Sequence, residues 1–235
     1  MKRRPRLFFS FRSPYSRFLV DRLLREMPDA HDSVDWIPFW EPDQRTREGM
    51  DRHGASLHYA DMSKAKHLYI LQDTKRIAER QGLRLAWPVD VDPWWEAAHL
   101  GWLRARRMGR AAEFYEAIVG ARWERGEDIS KPEVVAAAAA AIGLDGDAIV
   151  AAADDPEIRA EGVACLVEAY EDDIFGVPYL RLGWRRYWGY DRLDDFLAEY
   201  RSTASGPAAN PLAGVPEVVR AGRQPYDTDT VGGCG

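Results

Sequence analysis

Cysteine is scarce in this sequence of 235 residues, and the two that it contains, Cys165 and Cys234, lie far apart. Neither belongs to a CxxC pair or to a set with the spacing of metal ligands, which argues against a disulfide framework and favours the cytoplasm. Long apolar runs are also lacking, since none approaches the roughly 20 residues that span a bilayer. The formal net charge of -6 offers no basic surface to nucleic acid or to an anionic membrane. These absences predict a cytoplasmic protein that binds neither nucleic acid nor a membrane.

The N-terminal segment predicts the beginning of a parallel α/β unit. Residues 7–11 form an apolar run that is typical of a short buried strand. Ser13 and Pro14 follow, and serine at the N-cap with proline at the first helical position is a common helix start. Apolar residues then recur with the helical period as far as Pro28, and the alternation over residues 33–38 indicates a second strand.

The middle of the chain, from about residue 60 to residue 171, carries repeated helix start and stop signals and almost no strand pattern. The start signals are Ser63, Asp92-Pro93, the capping box of residues 130–133 and Asp155-Pro156, and the stop signals include Gly82 and Gly109. This segment is therefore predicted to be a helical subdomain.

Strand character returns after Gly176. The segments Tyr179–Leu182 and Arg185–Trp188 flank Gly183-Trp184, which predicts a β-hairpin, and a closing helix follows. The predicted fold class is α/β, with a thioredoxin-like core at about 6–40 and 172–202 split by the helical insertion at about 60–171. Residues 1–202 would form this one domain, and residues 203–235, rich in glycine and proline, are predicted to be a mobile tail.

Three segments together resemble one known family. They are residues 8–16 (FFSFRSPYS), the pattern Lys66-x2-Tyr69-x3-Asp73-x2-Arg76-x-Ala78, and residues 174–178 (IFGVP) followed by residues 187–193 (YWGYDRL). In this order and spacing they resemble the DsbA-like group that contains the 2-hydroxychromene-2-carboxylate isomerases and the kappa-class glutathione transferases. The resemblance covers roughly residues 6–200 and implies a thioredoxin-like fold with an inserted all-helical subdomain. The chain departs from the family pattern at Ser10, where an acid is typical, and at Arg12, where an apolar residue is typical.

The resemblance also implies a thiol-binding site. Ser13 and Ser16 stand where a dithiol oxidoreductase of the family has its redox cysteines, so this chain cannot cycle a disulfide there. Ser13 is instead expected to be the catalytic residue, because its hydroxyl, at a helix N-terminus that favours negative charge, would stabilise the thiolate of glutathione or of another low-molecular-weight thiol. The alternative for Ser13 is a purely structural N-cap.

The remaining cofactor-binding residues are expected on the same grounds. The family's matching proline is cis, so Pro178 is expected to be cis and Val177 to hold the backbone of a peptide-like thiol. Asp191, with Arg192 beside it, is expected to bind the α-ammonium group of that ligand, and Lys66 its carboxylate. The alternatives are a simple loop proline, charges that complement a helix dipole, and a solvated lysine. The histidines show no pair at ligand spacing on one helix face, so no metal site is predicted.

The sequence thus leads to two hypotheses of different classes. The first is a thiol-dependent isomerase or transferase that acts on a small conjugated aromatic electrophile, as a homodimer by analogy with relatives. The second is a redox-inactive, DsbA-like module that holds a peptide or protein along Val177 and Pro178. Dithiol oxidoreductase activity, although common in such a family, is argued against by Ser13 and Ser16.

Overall fold

The computed structural model describes residues 4–58 and 62–203. Its four strands form one mixed sheet in the order β2-β1-β3-β4. The strands are β1 (Arg6–Phe9), β2 (Asp35–Pro38), β3 (Tyr179–Leu182) and β4 (Arg185–Trp188). β1 pairs in parallel with β2 and antiparallel with β3, and β3 and β4 form the predicted hairpin. The α/β class and the β-α-β start are confirmed.

Helices fill the rest of the described chain. They are α1 (Pro14–Glu26), α2 (Ala30–Ser33), α3 (Gln44–Asp51), α4 (Lys64–Gln81), α5 (Glu96–Arg107), α6 (Ala111–Val119), α7 (Pro132–Ala141), α8 (Gly146–Val150), α9 (Pro156–Glu171) and α10 (Leu193–Thr203). A π-helical turn, Gly120–Glu124, extends α6, and 3-10 turns occupy Ala151–Ala153 and Tyr190–Arg192. None of these helices is both long and apolar enough to cross a bilayer, as far as the described ranges go.

The helix starts predicted at three capping side chains are confirmed. Ser13, Ser63 and Asp155 are N-caps, and each accepts a hydrogen bond from an amide of the first turn. Gly82 ends α4 in the left-handed conformation, with φ 66°. The tail predicted at residues 203–235 lies outside the described residues, except for Thr203, which ends α10.

Two predicted starts and two strand ends are wrong. The Asp92-Pro93 pair does not open a helix, because Asp92 is in the left-handed region with φ 45° and α5 begins only at Glu96. Ser130 does not cap α7, because its amide and its hydroxyl both donate to the Asp128 carboxylate, which leaves Lys131 as the N-cap. The first strand ends at Phe9 rather than at residue 11, and Ser33 belongs to α2 rather than to β2.

The sheet and the helical segment share one core. Leu7, Phe8 and Phe9 of β1 are fully buried. The ring of Phe9 meets Trp36, Trp102 and Tyr115 edge-on, with centroids 5.2–5.6 Å apart. Edge-to-face contacts of this kind add to the burial of apolar area. The helical segment is therefore packed directly onto the strand that leads into α1.

A buried arginine also holds the helical segment together. Arg159 of α9 is 7% exposed, and its guanidinium donates to both oxygens of Asp43, to the Thr46 hydroxyl and to the Ala153 carbonyl at 2.6–3.1 Å. Asp43 is the N-cap of α3, and its hydrogen bonds with Thr46, Trp94 and Arg159 hold its pKa below the ordinary value although burial opposes this. The pair therefore joins α3 to α9.

We expect Arg159→Met to lower the free energy of unfolding by about 3 kcal/mol, because it leaves the largely buried Asp43 carboxylate without its cation. Arg45→Met on α3 is the matched control. The Arg45–Asp154 pair at 2.8 Å is more than half exposed on both sides, so its loss should cost less than about 0.5 kcal/mol. Chemical denaturation of both variants measures the difference, and equal losses would contradict a buried tie at Arg159.

Candidate active site

Ser13 lies where the first helix meets the loop before the hairpin. It is the N-cap of α1, and its Oγ accepts a hydrogen bond from the Ser16 amide at 3.2 Å. The same hydroxyl donates to the Val177 carbonyl at 3.3 Å. The Val177–Pro178 peptide bond is cis. The structure thus brings together Ser13, Val177 and Pro178, which the sequence analysis singled out from segments 164 residues apart.

The amides of the first turn of α1 differ in whether they have a hydrogen-bond acceptor. Pro14 has no N–H, the Ser16 amide donates to the Ser13 hydroxyl, and the Arg17 amide donates to the Ser13 carbonyl at 3.3 Å. Within the described ranges the Tyr15 amide has no acceptor. The helix N-terminus therefore presents a free N–H beside the half-buried Ser13 hydroxyl, and both favour an anion.

Ser16, at the second redox position, is used differently. It is fully buried, and its Oγ accepts the Ser10 amide at 3.2 Å. Ser10 is itself buried, and its carbonyl accepts the Ser13 amide at 3.1 Å. Ser16 therefore supports the loop between β1 and α1 and is not accessible to a ligand.

The sequence analysis missed two residues that hold this loop. The Phe11 amide donates to His99 Nε2 at 3.3 Å, and the Phe11 carbonyl accepts the Trp123 indole N–H at 3.0 Å. His99 lies on α5 and Trp123 in the π-helical turn, 88 and 112 residues from Phe11. The sequence pattern tests the histidines only as metal ligands and gives Trp123 no partner. The only local sign was a histidine in an otherwise apolar stretch of a helix, which does not identify its partner.

His99 is a neutral imidazole. It is fully buried, and burial lowers its pKa to about 3 from the ordinary 6.5. Nε2 accepts the Phe11 amide and therefore carries no proton, so the proton is on Nδ1, which donates to the Trp95 carbonyl at 2.8 Å. The ring stacks on Trp40 with centroids 5.1 Å apart and planes 14° apart.

The turn that carries Asp191 and Arg192 is tied to the cis-proline loop. The Gly189 amide donates to the Pro178 carbonyl at 3.0 Å. Gly189 has φ 100°, a backbone conformation that residues with a Cβ rarely adopt, which favours glycine there. Asp191 and Arg192 pair with each other at 3.2 Å, and both side chains are more than half exposed. They lie at the rim of the site, in reach of solvent.

Lys66 is not brought into contact with Ser13. It is exposed in the first turn of α4, and within residues 4–58 and 62–203 its ammonium group has no hydrogen-bond or ion-pair partner. The same helix does reach α1 further along, where the Tyr15 hydroxyl donates to Asp73 at 2.8 Å. Burial and this bond raise the pKa of Tyr15. Lys66 is seven residues before Asp73, which puts it about two turns away on the same helix face.

Partly exposed aromatic rings border the loop on two sides. Trp87 is 37% exposed and packs edge-on against Trp123, with ring centroids 5.6 Å apart. The His67 ring of α4 also lies edge-on to Trp87, with centroids 6.0 Å apart. Before the cis-proline, Phe175 and Trp188 are 44% and 38% exposed and have centroids 4.8 Å apart. Aromatic surface of this kind suits a planar ligand.

Redox and metal chemistry find little support in the described residues. Cys165 is buried on α9, and burial raises the pKa of its thiol to about 12, so it is a poor nucleophile at neutral pH. Cys234 lies outside the described residues. Residues 4–58 and 62–203 contain no group of three or more His, Cys, Asp or Glu side chains positioned to hold a metal ion.

Comparisons with known proteins bear on the family and the fold. The family model of the DSBA-like thioredoxin domain matches residues 6–201. The 2-hydroxychromene-2-carboxylate isomerase of Sphingobium xenophagum is 27% identical over 195 residues, which cover 82% of this chain and 95% of that protein.

Solved structures show the same fold. A structure of a 2-hydroxychromene-2-carboxylate isomerase is similar with a TM-score of 0.68 and 21% identity, over 85% of this chain and 95% of that chain. The cytosolic disulfide reductase DsbM from Pseudomonas aeruginosa, solved with GSH, has a TM-score of 0.55 and 15% identity, over 85% of this chain and 98% of that chain. The thioredoxin-like fold predicted from the sequence is confirmed.

The buried neutral His99 predicts a specific loss of stability in acid. Between pH 6.5 and pH 3 the unfolded state holds a proton on this ring that the folded state lacks, so the free energy of unfolding falls as the pH falls through this window. From pH 7 to pH 4 this contribution amounts to about 3 kcal/mol. Chemical denaturation at pH 7 and at pH 4 should show that the free energy of unfolding falls less in His99→Gln, which has no titrating ring. Equal pH dependence in the two proteins would show that folding leaves the pKa of His99 unshifted.

Proposed function

Because this chain belongs to the DSBA-like thioredoxin domain family, we propose that it is a thiol-dependent isomerase or transferase acting on a conjugated aromatic electrophile. The observation that carries the proposal is the Ser13 hydroxyl, half-buried at the N-terminus of α1 and 3.3 Å from the carbonyl of the cis Val177–Pro178 bond. Serine at both redox positions argues for a thiol supplied by a cofactor, and glutathione is the thiol we propose.

The donors around Ser13 fit a thiolate. The Ser13 hydroxyl donates to the Val177 carbonyl at 3.3 Å, which is longer than the usual range of about 2.5–3.0 Å for an O–H donor, so turning the hydroxyl toward a better acceptor costs little. The free Tyr15 amide and the helix dipole add to the same field. When bound, the thiol supplies a nucleophilic sulfur that adds to the conjugated substrate, and its later expulsion after bond rotation distinguishes isomerisation from transfer.

The other residues have proposed roles in holding the cofactor. Val177 and Pro178 would hold its peptide backbone along the cis bond, beside Ser13. Asp191 would pair with its α-ammonium group at the rim, with Arg192 adjusting the position of that carboxylate. Lys66 is proposed for a carboxylate of the ligand, since its ammonium group is exposed and unpaired within the described ranges. Trp87 and His67 border the space in which an aromatic substrate would lie.

The relatives support the choice of reaction. The similar protein of Sphingobium xenophagum is named as an isomerase of 2-hydroxychromene-2-carboxylate, a small aromatic compound. The similar DsbM structure was solved with GSH. Cytoplasmic location and a homodimer are part of the same proposal, by analogy with this group.

A redox-inactive peptide-binding module is the second candidate. The exposed pair Phe175 and Trp188, next to Val177 and Pro178, favours it, because aromatic surface beside a cis-proline loop suits an extended peptide. Such a module would tolerate the loss of the Ser13 hydroxyl.

We expect millimolar glutathione to stabilise the wild-type protein by about 2.7 kcal/mol when it reaches a hundred times its dissociation constant. Ser13→Ala should lose most of this ligand-induced shift, because the thiolate loses its hydroxyl donor. Asp145→Ala is the control for loss of an N-cap, since Asp145 accepts the Ala148 amide at 3.1 Å in α8; it should keep the shift. Thermal unfolding with and without ligand measures both. A full shift in Ser13→Ala would favour the peptide-binding module, and no shift in the wild type would refute glutathione.

Asp191→Asn should weaken glutathione binding about tenfold, because it removes one charge-assisted bond to the α-ammonium group. Its free energy of unfolding should hardly change, since the side chain is 62% exposed. Asp195→Asn is the matched control: Asp195 is 64% exposed and also contacts Arg192, at 3.6 Å. Isothermal titration of both variants with glutathione measures the difference. Equal affinities would show that Asp191 does not bind the ligand.

A further inference from the structure

His99 occupies a position that no motif of the chain pointed to, behind the loop between β1 and α1. The ring lies on α5, is fully buried, and bears two contacts toward the loop at its Nε2 atom: the Phe11 amide at 3.3 Å and the Ser10 hydroxyl at 3.4 Å. At the other end, Nδ1 is anchored to the Trp95 carbonyl at 2.8 Å. The imidazole therefore bridges the start of α5 and the loop.

The protons of this bridge can be assigned. Nε2 is the acceptor for Phe11, so the Ser10 hydroxyl must donate to it as well. The Ser10 oxygen then accepts the Arg12 amide at 3.3 Å, and the Ser10 carbonyl accepts the Ser13 amide at 3.1 Å. One nitrogen atom of His99 thus determines the orientation of Ser10 and Phe11. Through Ser10 it also holds the amides of Arg12 and Ser13.

The bridge requires a neutral ring. A protonated His99 would have no acceptor for Phe11 or Ser10, and the Arg122 guanidinium close by disfavours a second positive charge. The ring is also held in its plane, since it stacks on Trp40 and lies 5.2 Å from the Phe11 ring. It is consequently a rigid acceptor with a single orientation.

We propose that His99 is the positioning residue of the site: its Nε2 holds the loop that places the Ser13 hydroxyl and the free Tyr15 amide at the start of α1. Its catalytic consequence rests on the proposed function, whereas the positioning itself does not. His99 touches neither substrate nor thiol and acts only through the Ser10 hydroxyl and the Phe11 amide.

Two substitutions of similar size separate the two ends of the bridge. In His99→Gln the terminal amide oxygen stands near the place of Nε2 and can accept Phe11, while the donor to Trp95 is lost. In His99→Asn the amide nitrogen stands near the place of Nδ1 and can donate to Trp95, while the acceptor for Phe11 and Ser10 is lost. His99→Asn leaves the buried Phe11 amide without its acceptor, whereas in His99→Gln the Trp95 carbonyl keeps the backbone amide of residue 99, at 3.3 Å. Both variants lose one hydrogen bond of the ring or more and should be destabilised, and a purely structural role would change function only in step with stability.

The first measurement uses no ligand. Amide hydrogen exchange of Phe11 and Ser13, followed by NMR, should be about tenfold faster in His99→Asn than in His99→Gln, because only the glutamine retains the acceptor for the loop. Equal exchange in the two variants would overturn the positioning role, whatever the protein binds.

The second measurement compares glutathione with S-methylglutathione, which has the same backbone but no ionisable thiol, by isothermal titration at pH 7–9. His99→Asn should weaken glutathione about tenfold and S-methylglutathione less than about threefold, because the misaimed hydroxyl and amide stabilise the thiolate less. His99→Gln should keep both affinities within about threefold of the wild type. Equal losses for the two ligands, or in the two variants, would overturn the link to the thiolate. Failure of the wild type to bind glutathione would instead refute the proposed function and leave the exchange result to decide the role of His99 in the loop.

Discussion

The loop of Ser10, Phe11 and Arg12 must satisfy its backbone groups without a sheet and largely without water. Ser10 and Phe11 are 6% and 1% exposed, yet β1 has already ended at Phe9. Buried amides and carbonyls that lack partners are costly, so each needs a donor or an acceptor nearby. The partners are His99 and Trp123 for Phe11, and Ser16 and the Ser13 amide for Ser10. The position of Ser13 at the head of α1 follows from this arrangement.

This requirement explains why the helical segment matters to a site made of the sheet and α1. His99 and Trp123 belong to that segment, and Trp95, the acceptor for His99, precedes α5. Displacing α5 would remove the Phe11 acceptor and loosen the turn on which Ser13 depends. The tie between Arg159 and Asp43 acts at the other side of the same segment, where Glu96 at the start of α5 accepts the Asp43 amide. The helical segment thus works as a frame for the loop.

Much of the fold and part of the site could be predicted from the sequence, and the division has a physical cause. Caps and turns depend on residues within a few positions of each other, and so Ser13, Ser63 and the hairpin around Gly183 were found from local pattern. Ser130 failed because a nearer acceptor, Asp128, takes its hydroxyl, and capping rules do not rank such competitors. His99 was invisible because its partner is 88 residues away, and only the packed structure brings the two together. Lys66 was proposed from a motif, which fixes a residue type but gives no distance to Ser13.

The two serines at the redox positions differ in burial and in hydrogen bonding. Ser16 is fully buried, and its oxygen is used by the Ser10 amide, so a ligand cannot reach it. Ser13 is only partly buried, and its proton is held by a bond of 3.3 Å that a thiolate can outcompete, because a charged acceptor draws a donor more strongly than a carbonyl does. Serine at both positions therefore excludes disulfide cycling there, while the partial positive charge of the helix N-terminus is unchanged. What the structure shows is a partly buried hydroxyl at a helix N-terminus beside a cis-proline loop, and on this arrangement we base the proposal of a cofactor that brings its own thiol.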